Sequence, residues 1–134
     1  MIGKTLLLMV SVTMACAWMG FAQDGTLKES MKRGEDVYSA NCASCHQATG
    51  EGVEAVFPPL ANTVYLKNQK KIIGIILNGQ TGEITVGGKK YNTPMAALSQ
   101  LSDIEIADVL NFVSNSWGNK NPMIKAAQVK AERK

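Results

Sequence analysis

The stretch Cys42-Ala43-Ser44-Cys45-His46 carries the strongest chemical signal in this sequence. Two cysteines two residues apart, followed at once by a histidine, form the pattern that covalent attachment of a c-type haem requires. The two thiols can add to the two vinyl groups of one porphyrin, and the imidazole of His46 can then bind the iron. Because the chain contains one histidine, the sixth iron ligand must be a methionine, a water, a lysine or nothing.

Two other interpretations of the same residues are possible. A Cys-x-x-Cys pair can be a dithiol redox centre, but no βαβ pattern precedes this one. A structural zinc site takes four protein ligands, whereas Cys42, Cys45 and His46 supply three and no second cluster of Cys or His follows. A plain disulfide would close a very small loop and restrict the unfolded chain little. The sequence therefore favours haem.

The N-terminus predicts a secretory signal peptide over residues 1–22. A short positive segment ends at Lys4, an apolar run covers residues 5–20, and Ala22 completes a small-x-small cleavage site. The apolar run is shorter than the roughly 20 residues of a membrane-spanning helix. We therefore expect cleavage after Ala22, a periplasmic protein and no transmembrane span in the mature chain. The surroundings of Cys16 fit a lipidation site poorly, so we do not expect a lipoprotein anchor there.

Cleavage would leave residues 23–134, which is enough for one small domain. We predict a flexible leader over residues 23–31, a haem domain over residues 32–118 and a basic C-terminal extension over residues 119–134. The formal net charge of the whole chain is +3, and so small a charge does not indicate binding to nucleic acid. We expect a monomer.

The apolar pattern predicts an all-α domain. A first helix begins near Thr26 or Ser30, and Gly34 on its apolar face indicates a close helix crossing, because glycine costs a helix about 1 kcal/mol relative to alanine. The last helix covers residues 102–117 and opens with a capping box between Ser102 and Glu105. Its apolar stripe can cross the Gly34 face of the first helix.

The middle of the chain predicts one more main helix and a short hairpin. Asn68 is a suitable N-cap for a helix over residues 69–77, and Gly79 is a suitable stop. A β-branched run before Gly87-Gly88 and a short return after it predict a β-hairpin just before Met95. Residues 119–134 can form a short helix, which we interpret as an appendage.

Two segments are candidates to complete the haem site. The prolines of Phe57-Pro58-Pro59-Leu60 stiffen the backbone and leave carbonyls free, and a metal-bound histidine needs such an acceptor for its second ring nitrogen. Met95 follows Pro94 in a loop and is the best candidate for the sixth ligand, since Met31 fits a helix face and Met123 lies in the tail. The alternative is that Met95 only fills a gap in the core.

These segments resemble the class I c-type cytochromes over residues 32–117. The resemblance is carried by Gly34, Tyr38, the haem motif (residues 42–46), Phe57-Pro58-Pro59-Leu60, Tyr91-Asn92-Thr93-Pro94-Met95 and residues 109–113. It implies the cytochrome c fold, with Cys42 and Cys45 binding one haem c, His46 and Met95 ligating the iron, Pro58 accepting from His46 and Tyr91 beside the cofactor. One departure is Ala96, where many relatives have proline.

The resemblance also implies a function. Similar domains are electron-carrying subunits or modules of bacterial dehydrogenases, nitrite reductases and terminal oxidases, so it implies a monohaem electron carrier whose partners are redox proteins. The alternative is a haem protein with an open site, such as a peroxidase or gas sensor, in which Met95 is not a ligand. As a further hypothesis, lysines near the haem edge steer an acidic partner; they are Lys67, Lys70, Lys71, Lys89 and Lys90.

Overall fold

The predicted all-α architecture with one short hairpin is confirmed. The computed structural model describes residues 24–133, so the predictions for residues 1–22 lie outside the described residues. The α-helices are α1 (Leu27–Asn41), α2 (Ala43–His46), α3 (Gln69–Asn78), α4 (Asp103–Ser114) and α5 (Ala126–Glu132), with a 3₁₀-helix (Val64–Lys67) and the strands β1 (Ile84–Val86) and β2 (Lys89–Tyr91). Between residues 24 and 133, no helix has the length and apolar character to cross a membrane.

The crossing of α1 and α4 is the main helix contact of the domain, and it occurs at Gly34 as predicted. A methyl group on Gly34 would overlap the backbone carbonyl of Asp108 and crowd Phe112. One turn later, the Tyr38 ring packs against Phe112 with 5.4 Å between ring centroids. Glycine is therefore required at this position because the two helix backbones touch.

A buried carboxylate reinforces this crossing. Asp108 on α4 is 3% exposed and accepts hydrogen bonds from Ser30 Oγ at 2.6 Å and from Arg33 Nε at 2.6 Å. A second bond from the Arg33 guanidinium reaches the other carboxylate oxygen at 2.8 Å. A buried charge is costly unless it is paired and hydrogen-bonded, and here both conditions are met by side chains of α1.

The predicted helix caps agree with the structure, but α4 is shorter than predicted. Asn68 caps α3 by accepting from the backbone of Lys71 at 3.1 Å, and Gly79 follows its last residue. The capping box of Ser102 begins α4. However, α4 ends at Ser114, and Trp117 adopts a φ of +49° outside the helix. Trp117 is held there by its packing on the Tyr38 and Phe112 rings.

The hairpin also forms where the sequence predicts it. Strands β1 and β2 pair antiparallel, with Ile84 opposite Tyr91 and Val86 opposite Lys89. The turn residues Gly87 and Gly88 have φ values of +58° and +79°, a conformation that glycine adopts without steric cost. The hairpin leads into the loop of residues 92–98, named here the Met95 loop.

The predicted leader and the C-terminal extension both differ from the structure. Helix α1 starts at Leu27 with a capping box between Thr26 and Glu29, so residues 27–31 are helical. The C-terminal segment is part of the core, since Ile124 is 0% exposed and α5 packs on α3 and α4. The Asn111 side chain holds this segment by bonding both the N–H and the carbonyl of Ile124, at 2.7 and 2.8 Å. The interpretation as an appendage was therefore wrong.

Candidate haem-binding site

A cavity of about 350 Å³ lies between the haem motif, α3, the hairpin, the Met95 loop and α4. The six residues predicted to bind the cofactor all line it: Cys42, Cys45, His46, Pro58, Tyr91 and Met95. Most of the remaining wall is apolar, with contributions from Phe57, Leu60, Leu66, Ile72, Ile75, Ile76, Ile84, Val86, Leu98, Val109, Leu110 and Val113. An apolar cavity with two thiols, an imidazole and a thioether on its walls suits a haem.

The haem motif forms one helical turn, α2, directly after α1. The N–H of Cys42 donates to the carbonyl of Tyr38 at 2.8 Å, and the N–H of His46 donates to the carbonyl of Cys42 at 2.9 Å. Burial, and to a smaller extent the neighbouring Cys45, raises the pKa of the Cys42 thiol to about 11. A dithiol redox centre depends on a thiol whose pKa is lowered, and the environment of Cys42 does not supply one.

The zinc alternative also finds no support in the described part of the chain. Over residues 24–133, no group of three or more His, Cys, Asp or Glu side chains is arranged to hold a metal ion. His46, Cys42 and Cys45 all line the cavity, but no fourth side chain of a type that zinc prefers joins them there. The walls of the cavity fit a large flat apolar group better than a small ion.

His46 is oriented by the segment that the sequence indicated. Its Nδ1 donates a hydrogen bond to the carbonyl of Pro58 at 2.9 Å, which leaves Nε2 for a metal. Burial lowers the pKa of His46, while the bond to Pro58 opposes that shift. The imidazole is therefore held in its neutral form, which is the form that binds iron.

Two glycines between the haem motif and Pro58 make this contact possible, and the sequence pattern did not indicate their roles. The N–H of Gly52 donates to the carbonyl of His46 at 2.9 Å, and a methyl group on Gly52 would overlap the carbonyl of Phe57. The carbonyl of Gly50 accepts from Leu60 at 2.7 Å, while its α-carbon lies against Trp117. Both glycines have positive φ values, of +69° and +66° for Gly50 and Gly52.

Met95 lines the cavity, and its backbone pairs with the segment that follows α3. Its N–H and carbonyl exchange two hydrogen bonds of 2.9 Å with the backbone of Gln80. Of the methionines that the structure describes, Met95 lines the cavity and Met31 and Met123 do not. No described lysine lines it either. Among the described residues on this wall, Met95 is thus the one that carries a thioether, and none carries an amine.

Asn119 organises the rim of the cavity from the C-terminal segment. Its side chain accepts from the N–H of Thr63 at 3.0 Å and donates to the carbonyls of Leu60 and Val113 at 2.7 and 2.8 Å. One amide thus joins the proline segment, the start of the 3₁₀-helix and the end of α4. No local pattern could have identified Asn119, because its hydrogen-bond partners belong to other segments of the chain.

The lysines proposed to steer an acidic partner are largely occupied with neighbouring groups. Lys89 lies 2.6 Å from Glu54, Lys90 lies 2.8 Å from Glu83, and Lys70 lies 3.7 Å from Glu132. Lys71 lies over the ring of Tyr65. These pairs offset part of the local positive charge. Because they are exposed, they contribute little to the stability of the fold. The hypothesis of a basic ring around the haem edge therefore loses support.

The helical shell and the walls of its cavity define a protein of the monohaem c type. A sequence profile described as Cytochrome c matches residues 31–117, and this chain belongs to the cytochrome c family. It is 41% identical over 106 residues to a cytochrome c-552 of Thermus thermophilus, covering 75% of this chain and 71% of the relative.

Two further relatives have other names and lower identities. The cytochrome c subunit of alcohol dehydrogenase (quinone) from Gluconacetobacter polyoxogenes is 36% identical over 99 residues, which cover 72% of this chain and 21% of that subunit. Cytochrome c6 of Cyanidium caldarium is 30% identical over 110 residues, which cover 82% of this chain and 91% of the relative. The predicted resemblance is confirmed: the chain carries one covalently bound haem c and is an electron carrier rather than an enzyme.

Proposed function

We propose that this cytochrome carries single electrons between redox proteins outside the cytoplasm, with Cys42 and Cys45 bound to the haem and with His46 and Met95 as the axial iron ligands. The observation that supports this most is that the chain's one histidine and Met95 line the same apolar cavity. When bound there, the haem supplies a reversible one-electron couple. The remaining work is done by the polypeptide.

The residues around His46 hold its imidazole in one orientation and one protonation state. The carbonyl of Pro58, 2.9 Å from His46 Nδ1, accepts a hydrogen bond from the ring N–H and so increases the basicity of Nε2. With Nε2 on the iron and the Nδ1 proton in the bond to Pro58, the ring would have no free site at which to exchange a proton during electron transfer. His46 therefore contributes a fixed geometry.

The distal side and the walls adjust the reduction potential. A thioether ligand favours the reduced state of a haem and raises its potential. The backbone bonds between Met95 and Gln80 hold the ligand in place. Apolar walls exclude water and also favour the form of the iron with the lower charge. The site is thus suited to accept and release an electron without rearranging.

The rival function requires an open distal face. A peroxidase needs a distal acid or base to move protons, and a second histidine is absent from the chain. The polar residues that line the cavity beyond the motif are Asn41, Thr63, Tyr65, Gln80, Tyr91 and Thr93. With Met95 on the iron, no position remains for peroxide or a gas. We therefore favour the electron carrier with two protein ligands.

The sequence and the relatives support a location and a class of partner. The predicted signal peptide over residues 1–22 and the chemistry of covalent haem attachment both support a periplasmic protein. Relatives named as cytochrome c subunits of alcohol and gluconate dehydrogenases support a dehydrogenase as one partner. A reductase or terminal oxidase would take the electron onward. The small net charge of +3 gives no reason to propose nucleic acid as a partner.

The test is a comparison of Met95→Ala with Met31→Ala and the parent. We expect the parent and Met31→Ala to show the band near the red end of the oxidised spectrum that reports a methionine–iron bond. Met95→Ala should lose the band, stay coloured because the haem is covalent, and bind cyanide and carbon monoxide rapidly. A parent without the band that binds carbon monoxide rapidly would instead establish the open site.

The proposed export of the protein is tested by measuring its intact mass. The intact mass of the exported protein should equal that of residues 23–134 plus one haem. A mass that includes residues 1–22 or an acyl chain on Cys16 would contradict cleavage after Ala22.

A further inference from the structure

An arginine that follows α5 holds the turn between the Met95 loop and α4. The guanidinium of Arg133 donates from all three of its nitrogens. Its Nε donates to the carboxylate of Asp103 at 2.5 Å, one terminal nitrogen donates to the carbonyl of Ser99 at 2.9 Å, and the other donates to the carbonyl of Leu101. Ser99 and Leu101 are the two ends of this turn, named here the exit turn. One side chain thus binds both ends of the exit turn and the first residue of α4.

The guanidinium reaches the exit turn because α5 is docked on the core. Val129 of α5 is 0% exposed. The side chain of Gln128 donates to that of Gln69 at 3.1 Å, where α3 begins. Neither contact involves Arg133, so α5 keeps its position when that side chain is replaced.

Backbone contacts hold the Met95 loop at its start, middle and end. The loop leaves β2 at Tyr91, which is buried. The backbone of Met95 then pairs with Gln80. At the end of the loop, the N–H of Leu98 donates to the carbonyl of Ile76 at 2.7 Å. The exit turn follows this last bond directly, so the end of the loop cannot move outward unless the exit turn moves with it.

Three acceptors around one group require an arginine. The planar guanidinium directs its N–H donors in fixed directions, whereas the ammonium of lysine has one nitrogen. Hydrogen bonds that involve a charged group are stronger than those between neutral groups. The side chains of Arg133 and Asp103 are 31% and 28% exposed, so water screens their ion pair only in part. These bonds therefore resist movement of the exit turn.

We propose that Arg133 is a positioning residue for Met95, which holds the exit turn and so slows the dissociation of Met95 from the haem iron. Arg133 does not line the cavity, so it acts through the loop and not on the haem. Dissociation of the thioether is easier when the loop is free to move away from the cavity. The proposal rests on the proposed function, in which Met95 is an axial ligand.

The test is the rate at which cyanide binds to the oxidised holoprotein. Cyanide takes the iron position that Met95 leaves, so at saturating cyanide the limiting rate equals the rate of methionine dissociation. In Arg133→Gln this limiting rate should rise about tenfold, which is the effect of losing about one hydrogen bond to a charged group. Arg133→Lys keeps the charge but not the planar fork, so its limiting rate should also rise above that of the parent.

Two control variants separate positioning from charge and from stability. Lys130→Gln removes one positive charge from the exposed side of α5 and should keep the parent rate. Gly34→Ala destabilises the protein at the crossing of α1 and α4, and its limiting rate should rise less than that of Arg133→Gln. A parent rate in Arg133→Gln or in Arg133→Lys would overturn the proposal. An equal rise in either control variant would overturn it too.

Amide hydrogen exchange measures the hold of Arg133 on the loop without reference to the iron ligand. In Arg133→Gln, the N–H of Leu98 should exchange about tenfold faster than in the parent, while amides inside α4 should keep their rates. Unchanged exchange at Leu98 would overturn the proposal. A parent without the methionine–iron band would overturn the assignment of Met95 and this proposal together. A parent with the band, combined with an unchanged limiting rate in Arg133→Gln, would overturn this proposal alone.

Discussion

The α-carbon of Gly79 lies against the backbone of Met95, so that a methyl group on Gly79 would come within 2.6 Å of the Met95 carbonyl oxygen. Gly79 ends α3 with a φ of +78°, and its neighbour Gln80 exchanges two backbone hydrogen bonds with Met95. The end of α3 and the proposed iron ligand are therefore one structural unit. Glycine is required there both for its backbone conformation and for the close approach.

Gly79→Ala should weaken the bond between Met95 and the iron, whereas Gly88→Ala should not. Both glycines have positive φ values, +78° and +79°, so alanine pays a conformational cost at either position, and the ψ of −179° at Gly79 lies in a region that glycine alone adopts readily. A methyl group at Gly88 meets nothing within 4 Å, whereas at Gly79 it pushes on the Met95 loop. The red-end absorption band should decrease in Gly79→Ala alone. Equal bands in the two variants would show that the contact does not position Met95.

Gly34→Ala and Gly74→Ala should change stability in opposite directions. Both residues lie inside helices, where alanine is favoured by about 0.5–1 kcal/mol. Gly74 has open space around it, so Gly74→Ala should stabilise the protein by that amount. A methyl group on Gly34 overlaps the carbonyl of Asp108, so Gly34→Ala should destabilise it by about 1–3 kcal/mol. Urea unfolding followed by far-UV circular dichroism measures both, and a neutral Gly34→Ala would contradict the close crossing.

Ile124→Ala should destabilise the protein as a core substitution does. Ile124 is 0% exposed in a segment that the sequence pattern placed outside the domain. The expected loss in the free energy of unfolding is about 2–5 kcal/mol. Val64→Ala is the control, since Val64 is 75% exposed and its truncation should cost less than about 0.5 kcal/mol. Similar denaturant midpoints for the two variants would mean that the C-terminal segment does not contribute to the core.

Glu105 should contribute to the loss of stability in acid. Hydrogen bonds from the Ser102 hydroxyl and then from its backbone N–H lower the pKa of Glu105 below its ordinary value of 4.5. A carboxylate with a lowered pKa stabilises the fold above the unfolded-state pKa, and this contribution is lost as the pH falls through the folded-state pKa. Glu105→Gln should therefore flatten the fall in the free energy of unfolding below pH 4.5.

Ser102→Ala is the companion variant for this measurement. It removes the hydroxyl donor and leaves the carboxylate, so it should also flatten the fall in acid. If the free energy of unfolding falls as steeply in acid in both variants as in the parent, the capping box is not the source of this pH dependence.

Much of the secondary structure could be predicted because its causes are local. The caps at Asn68 and Ser102 and the turn at Gly87-Gly88 depend on residues within three positions of one another. The end of α4 could not be predicted in this way. Trp117 continues the apolar stripe of α4, but it packs on Tyr38 and receives a backbone bond from Asn62, which removes it from the helix.

The rim of the site also combines residues that could be predicted from local sequence with residues that could not. Phe57-Pro58-Pro59-Leu60 was recognisable from its stiffness, while Asn119 in the basic tail carried no signal of its own. The tail belongs to the core because the Asn111 amide on α4 bonds the backbone of Ile124. Such a contact joins two elements whose approach is decided by the packing of the whole domain.

The sequence by itself determined the chemistry of this protein, since the spacing of Cys42, Cys45 and His46 requires no knowledge of the fold. Only the tertiary structure decided which carbonyl accepts from His46 and which of three described methionines reaches the cavity. The physical reason is that a covalent motif is encoded by neighbours along the chain. The groups that orient the haem ligands come from segments that meet only after the hydrophobic core has formed.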